Sequence, residues 1–274
     1  MTGFLARVCA EAHERVAEAV RVEPLAVLRE RAAQRPASPG FASALSGDGL
    51  AVIAEVKRAS PSRGRMAAIP DPVWLARQYG EGGAVAISVL TEPSHFDGSL
   101  DDLAMVAAGV RLPVLRKDFV VDPYQIWEAR AAGAAAVLLI VAALPQPELV
   151  RLLAAVVGVG LDALVEVHDE GEAGKAVAAY AEAATGRPLV IGVNARDLST
   201  LKVDPDRFAA VRTALPRDAI AVAESGVQGP ADARRLAALG ANAILVGEHV
   251  ATAEDPAAAV RALAEALADQ EVCT

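Results

Sequence analysis

Eight short apolar segments, separated by longer amphipathic ones, set the strongest limit on how this chain can fold. They are rich in Val, Ile, Leu and Ala and recur about every 27 residues. An apolar run of this length is typical of a strand that is buried on both faces. We therefore predict eight β-strands, at 52–57, 85–90, 114–117, 136–140, 164–167, 190–194, 220–223 and 243–246.

A segment with helical periodicity follows each predicted strand. Several of these segments begin with proline after Asp or Gly, and several end at glycine, which are start and stop signals for helices. The predicted helices are 71–81, 100–108, 123–132, 145–157, 170–184, 205–214, 230–239 and 256–268. Strands that alternate with helices are parallel and are joined by right-handed crossovers. We predict an α/β fold, a closed (β/α)8 TIM barrel.

Residues 1–48 precede the first predicted strand and hold two predicted helices, at 4–19 and 24–34. We expect one domain over 1–274, with an N-terminal helical extension (1–48) on a barrel (49–274). An open doubly wound sheet is the alternative fold. That fold would carry a Gly-x-Gly-x-x-Gly turn after a strand, whereas Gly80-Glu-Gly-Gly83 ends a predicted helix.

Composition excludes several classes of protein. A net charge of −9 and a pI near 5.0 argue against a nucleic-acid partner. No apolar run reaches the roughly 18 residues of a membrane span, and charges interrupt the first 20 residues, so we expect neither a membrane partner nor a signal peptide. Cys9 and Cys273 form no motif, which indicates a reducing compartment. The histidines show no metal-ligand spacing. We expect a cytoplasmic monomer without metal.

Polar side chains cluster at the C-terminal ends of the predicted strands, which share one rim in a barrel and hold its active site. Glu55 and Lys57 end the first strand and, two residues apart, point the same way. Later strand ends add Lys117, Glu166, Asn194, Arg196, Glu224, Ser225, Gly226, Gly247 and Glu248. A lone Glu-x-Lys would be a structural ion pair. Seven polar strand ends on one rim favour a functional site, because charges rarely face a core.

Lysine is rare in this chain. Of 26 basic residues only four are lysine, namely Lys57, Lys117, Lys175 and Lys202. Lysine can exchange a proton near neutral pH when its pKa is lowered, and arginine cannot. We therefore predict proton chemistry at Lys57 and Lys117, which end strands, and chance accounts for the other two.

The rim divides into two predicted subsites. Ser225-Gly226 and Gly247-Glu248 would bring backbone N–H groups close to a phosphate, although two tight turns explain them equally well. The lysines and carboxylates form the second subsite. An apolar wall for a planar ring could come from Pro61, Phe96, Phe119, Leu138 and Ile140, each of which could instead be core. His168 has two possible roles. We favour a structural one, beside the start of a helix that Asp169 caps, over a role as a catalytic base.

Six motifs together resemble the indole-3-glycerol-phosphate synthase family. They are Ile53-Ala-Glu-Val-Lys-Arg-Ala-Ser-Pro-Ser62, Ser88-Val-Leu-Thr-Glu92, Phe96-Asp-Gly-Ser99, Leu115-Arg-Lys-Asp-Phe119, Ile191-Gly-Val-Asn-Ala-Arg-Asp-Leu198 and Ala223-Glu-Ser-Gly226. The resemblance covers about 52–250, and the N-terminal helices also fit it. It implies ring closure, decarboxylation and dehydration of 1-(2-carboxyphenylamino)-1-deoxyribulose 5-phosphate in tryptophan biosynthesis, with no cofactor.

The resemblance also implies roles for individual residues. Lys117 would be the general acid, and Lys57 would meet the substrate carboxylate with Arg196 nearby. Glu166 and Glu55 would handle protons in dehydration, and Asn194 and Ser225 would hydrogen-bond the amine and hydroxyls. The phosphate would lie on Ser60 and the backbone of Gly226, Gly247 and Glu248. The other substrate-binding candidates are Pro61, Phe96, Phe119, Leu138 and Glu224.

Two other functions are compatible with a phosphate-binding barrel. One is a different phosphosugar enzyme, such as phosphoribosylanthranilate isomerase. That reaction needs a Cys/Asp pair, and both cysteines here lie near the chain ends. The other is a non-catalytic binding protein, which we would expect to have lost Lys117 or Glu166.

Overall fold

Eight parallel strands close into a barrel, which confirms the predicted fold class and excludes the open sheet. The structure is a computed structural model that describes residues 3–47, 49–198 and 200–267. Strands β1 to β8 are Ala51–Val56, Ala86–Leu90, Val114–Lys117, Ala136–Ile140, Asp162–Val167, Val190–Asn194, Ile220–Glu224 and Ala243–Val246. Strands that are consecutive in the chain are neighbours, and β8 pairs with β1 through Ala243 and Ala51.

Helices cover the outside of the barrel. Helices α1 to α13 are Phe4–Val22, Leu25–Ala33, Phe41–Ala44, Pro72–Glu81, Pro93–Phe96, Leu100–Gly109, Pro123–Ala132, Gln146–Gly158, Glu170–Glu182, Arg207–Arg212, Pro230–Ala238, Glu248–Ala251 and Pro256–Ala264. A 3-10 turn, Val141–Ala143, follows β4, and a short antiparallel ribbon pairs Ala59–Ser60 with Gly64–Arg65. Among the described residues, no helix is both long and apolar enough to cross a membrane.

Several predicted boundaries were wrong by a few residues. Lys57 lies just after β1 instead of ending it. Helix α10 begins at Arg207 and not at Pro205, because the Asp204 carboxylate accepts the backbone N–H of Asp206 in a turn ahead of the helix. Helix α13 ends at Ala264, and residue 268 of the predicted helix, like Cys273, lies outside the described residues.

Successive side chains of each strand point to opposite faces of the barrel wall, and this alternation separates two hydrophobic cores. One parity, which includes Ile53, Leu115 and Leu164, fills the inside of the barrel. The other, which includes Val52 and Val137, packs against the surrounding helices. Glu55 continues the inward parity of Ile53, so its carboxylate points into the barrel mouth.

The polar end of β3 contains residues of both parities. Arg116 and Asp118 lie outside the barrel wall, where Arg116 Nη2 is 3.0 Å from Asp118 Oδ2 and Arg116 Nη1 donates to Glu128 Oε2 at 3.1 Å. Thr91 Oγ1 donates to the same Asp118 oxygen at 2.7 Å. This buried network fixes the end of β3. Lys117 lies between Arg116 and Asp118 in the chain, so its side chain has the opposite parity and points inward.

The N-terminal extension reaches both ends of the barrel. In α1, Arg15 Nη2 donates to Asp118 Oδ1 at 3.3 Å near the carboxyl end of β3. The Arg35 guanidinium donates to the Ala131 carbonyl at 2.7 Å, beside α7. At the opposite end, the backbone N–H of Ala42 donates to Asp162 Oδ2 at 3.0 Å. These bonds support one domain for extension and barrel, which stays a prediction.

Candidate active site

The carboxyl ends of the strands surround a cavity of about 840 Å³. All of the site residues proposed from the sequence line it, although their roles stay predictions. They are Glu55, Lys57, Ser60, Pro61, Phe96, Lys117, Phe119, Leu138, Glu166, Asn194, Arg196, Glu224, Ser225, Gly226, Gly247 and Glu248. The fold therefore brings together residues that are up to 193 positions apart in the chain.

Lys117 lies at the centre of the charged groups in this cavity. Its Nζ is 3.1 Å from Oε2 of Glu166 and 3.3 Å from Oε2 of Glu224. Both carboxylates are almost fully buried, and the Lys117 side chain is 15% exposed. A second pair joins Lys57 Nζ to Glu55 Oε1 at 3.3 Å. The cavity floor is thus a network of two ammonium groups and three carboxyl groups.

The protonation state of Lys117 differs from our expectation. The sequence suggested a lysine whose pKa is lowered for proton exchange. Burial acts in that direction, but the Coulombic attraction of Glu166 and Glu224 outweighs it and raises the pKa of Lys117 above its ordinary value. Without substrate, Lys117 is an ammonium ion, which is the form that a general acid needs.

Glu166 and Glu224 are neighbours of the same lysine but differ in charge. Burial works to raise the pKa of Glu166, yet Lys117 and the other groups around it lower this pKa below its ordinary value. For Glu224, burial dominates, Lys117 compensates only in part, and the pKa rises to about 8. At neutral pH the site therefore offers one carboxylate as an acceptor and one carboxylic acid as a donor.

The raised pKa of Glu224 predicts how stability varies with pH. Because this pKa is about 8 in the folded chain and near 4.5 when unfolded, the folded state holds the extra proton. Its contribution to stability is complete below pH 4.5 and is lost as pH rises through 8. The variant Glu224→Gln cannot ionise at this position. We therefore expect the difference in Tm between the variant and the parent chain to rise by a few degrees, in favour of the variant, from pH 5.5 to pH 8.5. A Tm difference that does not change with pH would contradict this ionisation state.

Two glycines make room for the carboxyl groups. A Cβ added at Gly192, on β6, would lie 1.9 Å from Glu224 Oε1. A Cβ at Gly247 would lie 2.7 Å from Glu55 Oε1. Neither position tolerates a side chain while the carboxylates stay where they are. Gly192 could not be identified from the sequence, because a glycine inside a strand carries no sign of which side chain it faces.

The predicted phosphate subsite has an unusual backbone. Ser225 and Gly226 follow β7 with φ angles of 66° and 84°, two consecutive left-handed residues. Such a conformation is uncommon for serine and turns the chain sharply at the rim. Gly247 leads into the short helix α12, where Arg63 Nη1 lies 2.8 Å from Glu248 Oε1. The subsite therefore carries an arginine that the sequence analysis did not identify.

Arg196 and Ser60 are held by loop contacts. Arg196 Nη1 donates to the Leu201 carbonyl at 2.9 Å and to Ser62 Oγ at 3.3 Å. Ser60 lies in the ribbon after β1, and its Oγ is 3.4 Å from Ser62 Oγ. Arg196 thus connects the loop after β6 with the loop after β1 across the cavity mouth.

Aromatic rings form one side of the cavity. The ring centroids of Phe96 and Phe119 are 6.3 Å apart, and Phe4 meets Phe119 edge-on at the same distance. Phe4 could not be identified from the sequence, since helical periodicity assigns an apolar residue of α1 to packing and does not indicate that it reaches the barrel mouth. These rings give one side of the cavity an apolar surface, as the sequence predicted for Phe96 and Phe119.

The sequence also did not indicate that His168 contacts the charged cluster. Asp169 caps α9 by accepting the backbone N–H of Glu172, as predicted. The imidazole of His168 lies beside this cap and also contacts a carboxylate of the charged cluster, because its Nε2 lies 3.5 Å from Glu166 Oε1.

Among the residues that the structure describes, one cluster of possible metal ligands lies outside the lysine network. The ligand atoms of Glu11, Glu92 and His95 lie within 4.8 Å of one another. The Glu92 carboxylate already accepts the backbone N–H groups of Ser94 and His95, at 3.0 and 2.7 Å. Arg15 Nη1 lies 3.6 Å from Glu92, and its positive charge opposes a cation there. The absence of a metal stays a prediction.

Comparison with known proteins gives consistent matches. A sequence model of the family described as indole-3-glycerol phosphate synthase matches residues 5–263. The chain is 56% identical over 239 residues to an indole-3-glycerol phosphate synthase of Mycolicibacterium vanbaalenii, covering 87% of this chain and 85% of that one. It is 55% identical over 240 residues to indole-3-glycerol phosphate synthase 1 of Streptomyces coelicolor, with 87% and 86% covered.

Solved structures agree with the fold. A thiamine phosphate pyrophosphorylase from Pyrococcus furiosus superposes with a TM-score of 0.58 at 18% identity, covering 82% of this chain and 98% of that one. A 3-hexulose-6-phosphate synthase from Salmonella typhimurium gives 0.60 at 14% identity, with 80% and 99% covered. At such low identities these likenesses support the barrel alone.

Proposed function

The chain belongs to the indole-3-glycerol phosphate synthase family of decarboxylating lyases, and we propose that the charged cluster around Lys117 carries out this family's ring closure. The substrate would be 1-(2-carboxyphenylamino)-1-deoxyribulose 5-phosphate, and the product indole-3-glycerol phosphate. One observation carries the proposal, namely the buried Nζ of Lys117 held 3.1 and 3.3 Å from carboxyl oxygens of Glu166 and Glu224.

Ring closure needs an acid at the ribulose carbonyl. The aromatic carbon that bears the carboxylate attacks this carbonyl, and the developing alkoxide takes a proton from the Lys117 ammonium. Lys57 binds the substrate carboxylate by charge. Carbon dioxide then leaves, and its bonding electrons restore the aromatic ring. The raised pKa of Lys117 supports this assignment, because it keeps the proton in place until the alkoxide forms.

Dehydration needs an acid and a base together. The new hydroxyl leaves as water after taking a proton, and the neighbouring ring carbon loses a proton to a carboxylate. We assign these transfers to Glu166 and Glu55, with Glu166 as the base because the positive charges around it keep it ionised and able to accept a proton. Glu224, neutral at pH 7, would donate a hydrogen bond to the hydroxyl. Asn194 and Ser225 would hydrogen-bond the substrate amine and hydroxyls.

The ends of the cavity suit the ends of the substrate. Phe96 and Phe119 would face its aromatic ring. Ser60, Arg63 and the backbone of Gly226, Gly247 and Glu248 would hold its phosphate. We propose a monomer as the working unit. We expect an enzyme of tryptophan biosynthesis to work in the cytoplasm, and the proposed role is consistent with that location.

The decisive experiment is direct. Purified protein mixed with the carboxyphenylamino-deoxyribulose phosphate should produce indole absorbance and fluorescence, and should do so equally with a metal chelator present. A matched sample of Lys117→Met should produce no signal. If the folded parent chain binds the substrate but releases no product, it is a non-catalytic phosphate-binding protein and the proposal is wrong.

A further inference from the structure

His168 lies between two carboxylates, next to the charged cluster. Its Nδ1 is 3.0 Å from Oε2 of Glu172, and that oxygen also accepts the backbone N–H of His168 at 2.8 Å. Its Nε2 lies 3.5 Å from Oε1 of Glu166 and has no hydrogen-bond partner among the described residues. The imidazole is 12% exposed, so water screens these contacts only weakly.

This environment selects the doubly protonated ring. A neutral imidazole donates from one nitrogen and accepts at the other. If Nδ1 donates to Glu172, a neutral ring turns the lone pair of Nε2 toward an oxygen of Glu166, and the two repel. An imidazolium is attracted to both carboxylates. Burial works to lower the pKa of His168, but the hydrogen bond to Glu172 and the charges of Glu166 and Glu172 raise it above its ordinary value.

The two oxygens of Glu166 are therefore divided between two cations. Oε2 receives the hydrogen bond of the Lys117 ammonium at 3.1 Å. Oε1 faces the imidazole of His168 at 3.5 Å. Lys117 is the proposed acid and gives up its proton in ring closure. His168 is not among the described residues that line the cavity, so substrate in the cavity need not displace its contact with Glu166.

We propose that His168, anchored by Glu172, is a positioning residue that keeps the Glu166 carboxylate ionised and oriented for proton transfer. The inference rests on the role proposed above for Glu166. His168 touches no substrate, and it acts only through the carboxylate beside it.

The test is the pH dependence of kcat in His168→Ala. A cation at this distance changes the proton affinity of a carboxylate roughly tenfold or more. Without it, Glu166 takes up a proton at higher pH. We expect kcat of the variant to be about fivefold below the parent at pH 5.5, and to converge with it at high pH, where Glu166 is ionised in both proteins. KM should change little, because the substrate is not contacted.

Controls separate this role from a structural one. His13→Ala removes an exposed imidazole of α1 and should leave the profile unchanged. Glu172→Gln keeps the ring but removes its charged anchor, so it should shift the profile in the same direction by less, and should have no further effect on kcat in the His168→Ala background. Glu224, which titrates in the same range, is present in every one of these proteins.

A second measurement is independent of activity. Nitrogen NMR of the imidazole should give His168 a pKa above that of an ordinary histidine, and Glu166→Gln should lower it. A kcat ratio that is constant with pH, or a His168 pKa that does not respond to Glu166→Gln, would overturn the inference. Failure of the proposed function would look different, since the parent chain itself would then make no product.

Discussion

Replacing Lys117 with arginine should lower kcat about a thousandfold, within the range that a positioned general acid contributes. The substitution keeps the positive charge between Glu166 and Glu224, so charge alone would predict little change. Arginine fails for two reasons. Its guanidinium does not lose a proton in proteins, and its planar fork is larger than an ammonium group held 3.1 and 3.3 Å from two fixed carboxyl oxygens.

The matched control is Lys175→Arg, the same exchange at an exposed position of α9. That variant should retain the kcat of the parent chain. Thermal unfolding of Lys117→Arg would show whether a loss of activity follows from a loss of fold. Activity near the parent level in folded Lys117→Arg would mean that this residue supplies charge and not a proton, and the acid would have to be sought elsewhere in the cluster.

Alanine at Gly192 should lower kcat about a hundredfold, because a displacement of about an ångström at a catalytic group can cost that much. The new Cβ would lie 1.9 Å from Glu224 Oε1, so the carboxyl group must move away from the 3.3 Å contact with Lys117. Only a flexible side-chain end has to shift. We therefore expect a smaller effect on stability, about 1–3 kcal/mol, as for other overpacked sites.

Gly174→Ala is the control for this second substitution. Gly174 is an exposed residue of α9, and nothing lies within 4 Å of a Cβ added there. Alanine should stabilise the helix by up to about 1 kcal/mol without changing kcat. In a Glu224→Gln background, Gly192→Ala should cost much less kcat than it does alone, because both changes disturb one group. Full additivity would mean that Gly192 acts on something other than Glu224.

Sequence reasoning predicted the barrel and the rim because both follow from regular spacing. Strand parity placed Glu55 and Lys57 on the inner face, and the period of the strands brought Lys117 and Glu166 to the same rim. Protonation states could not be predicted in this way. The charge on Lys117 and the neutrality of Glu224 depend on distances among three buried groups, and the neighbours that decide them are far apart in the chain.

Residues that reach the site from outside the strand pattern were also missed. Phe4 comes from a helix of the extension, and Arg63 from an irregular loop, so neither shares the period of the strands. His168 follows Glu166 by two residues, yet its contact with that carboxylate depends on how Glu172 holds the ring one turn into α9. A sequence motif can include such residues, but only the packing of side chains in the folded protein shows which oxygen each of them faces.

The contacts of the N-terminal extension also bear on the order in which the enzyme is completed on the ribosome. The barrel groups that Arg15, Arg35 and Ala42 bind lie at Asp118, Ala131 and Asp162, and all of these are synthesised before β6 begins at Val190. The extension can therefore dock on a half-built barrel. Asn194, Glu224 and Gly247 arrive with the last three strands, so the catalytic machinery becomes complete only after β8 has been synthesised.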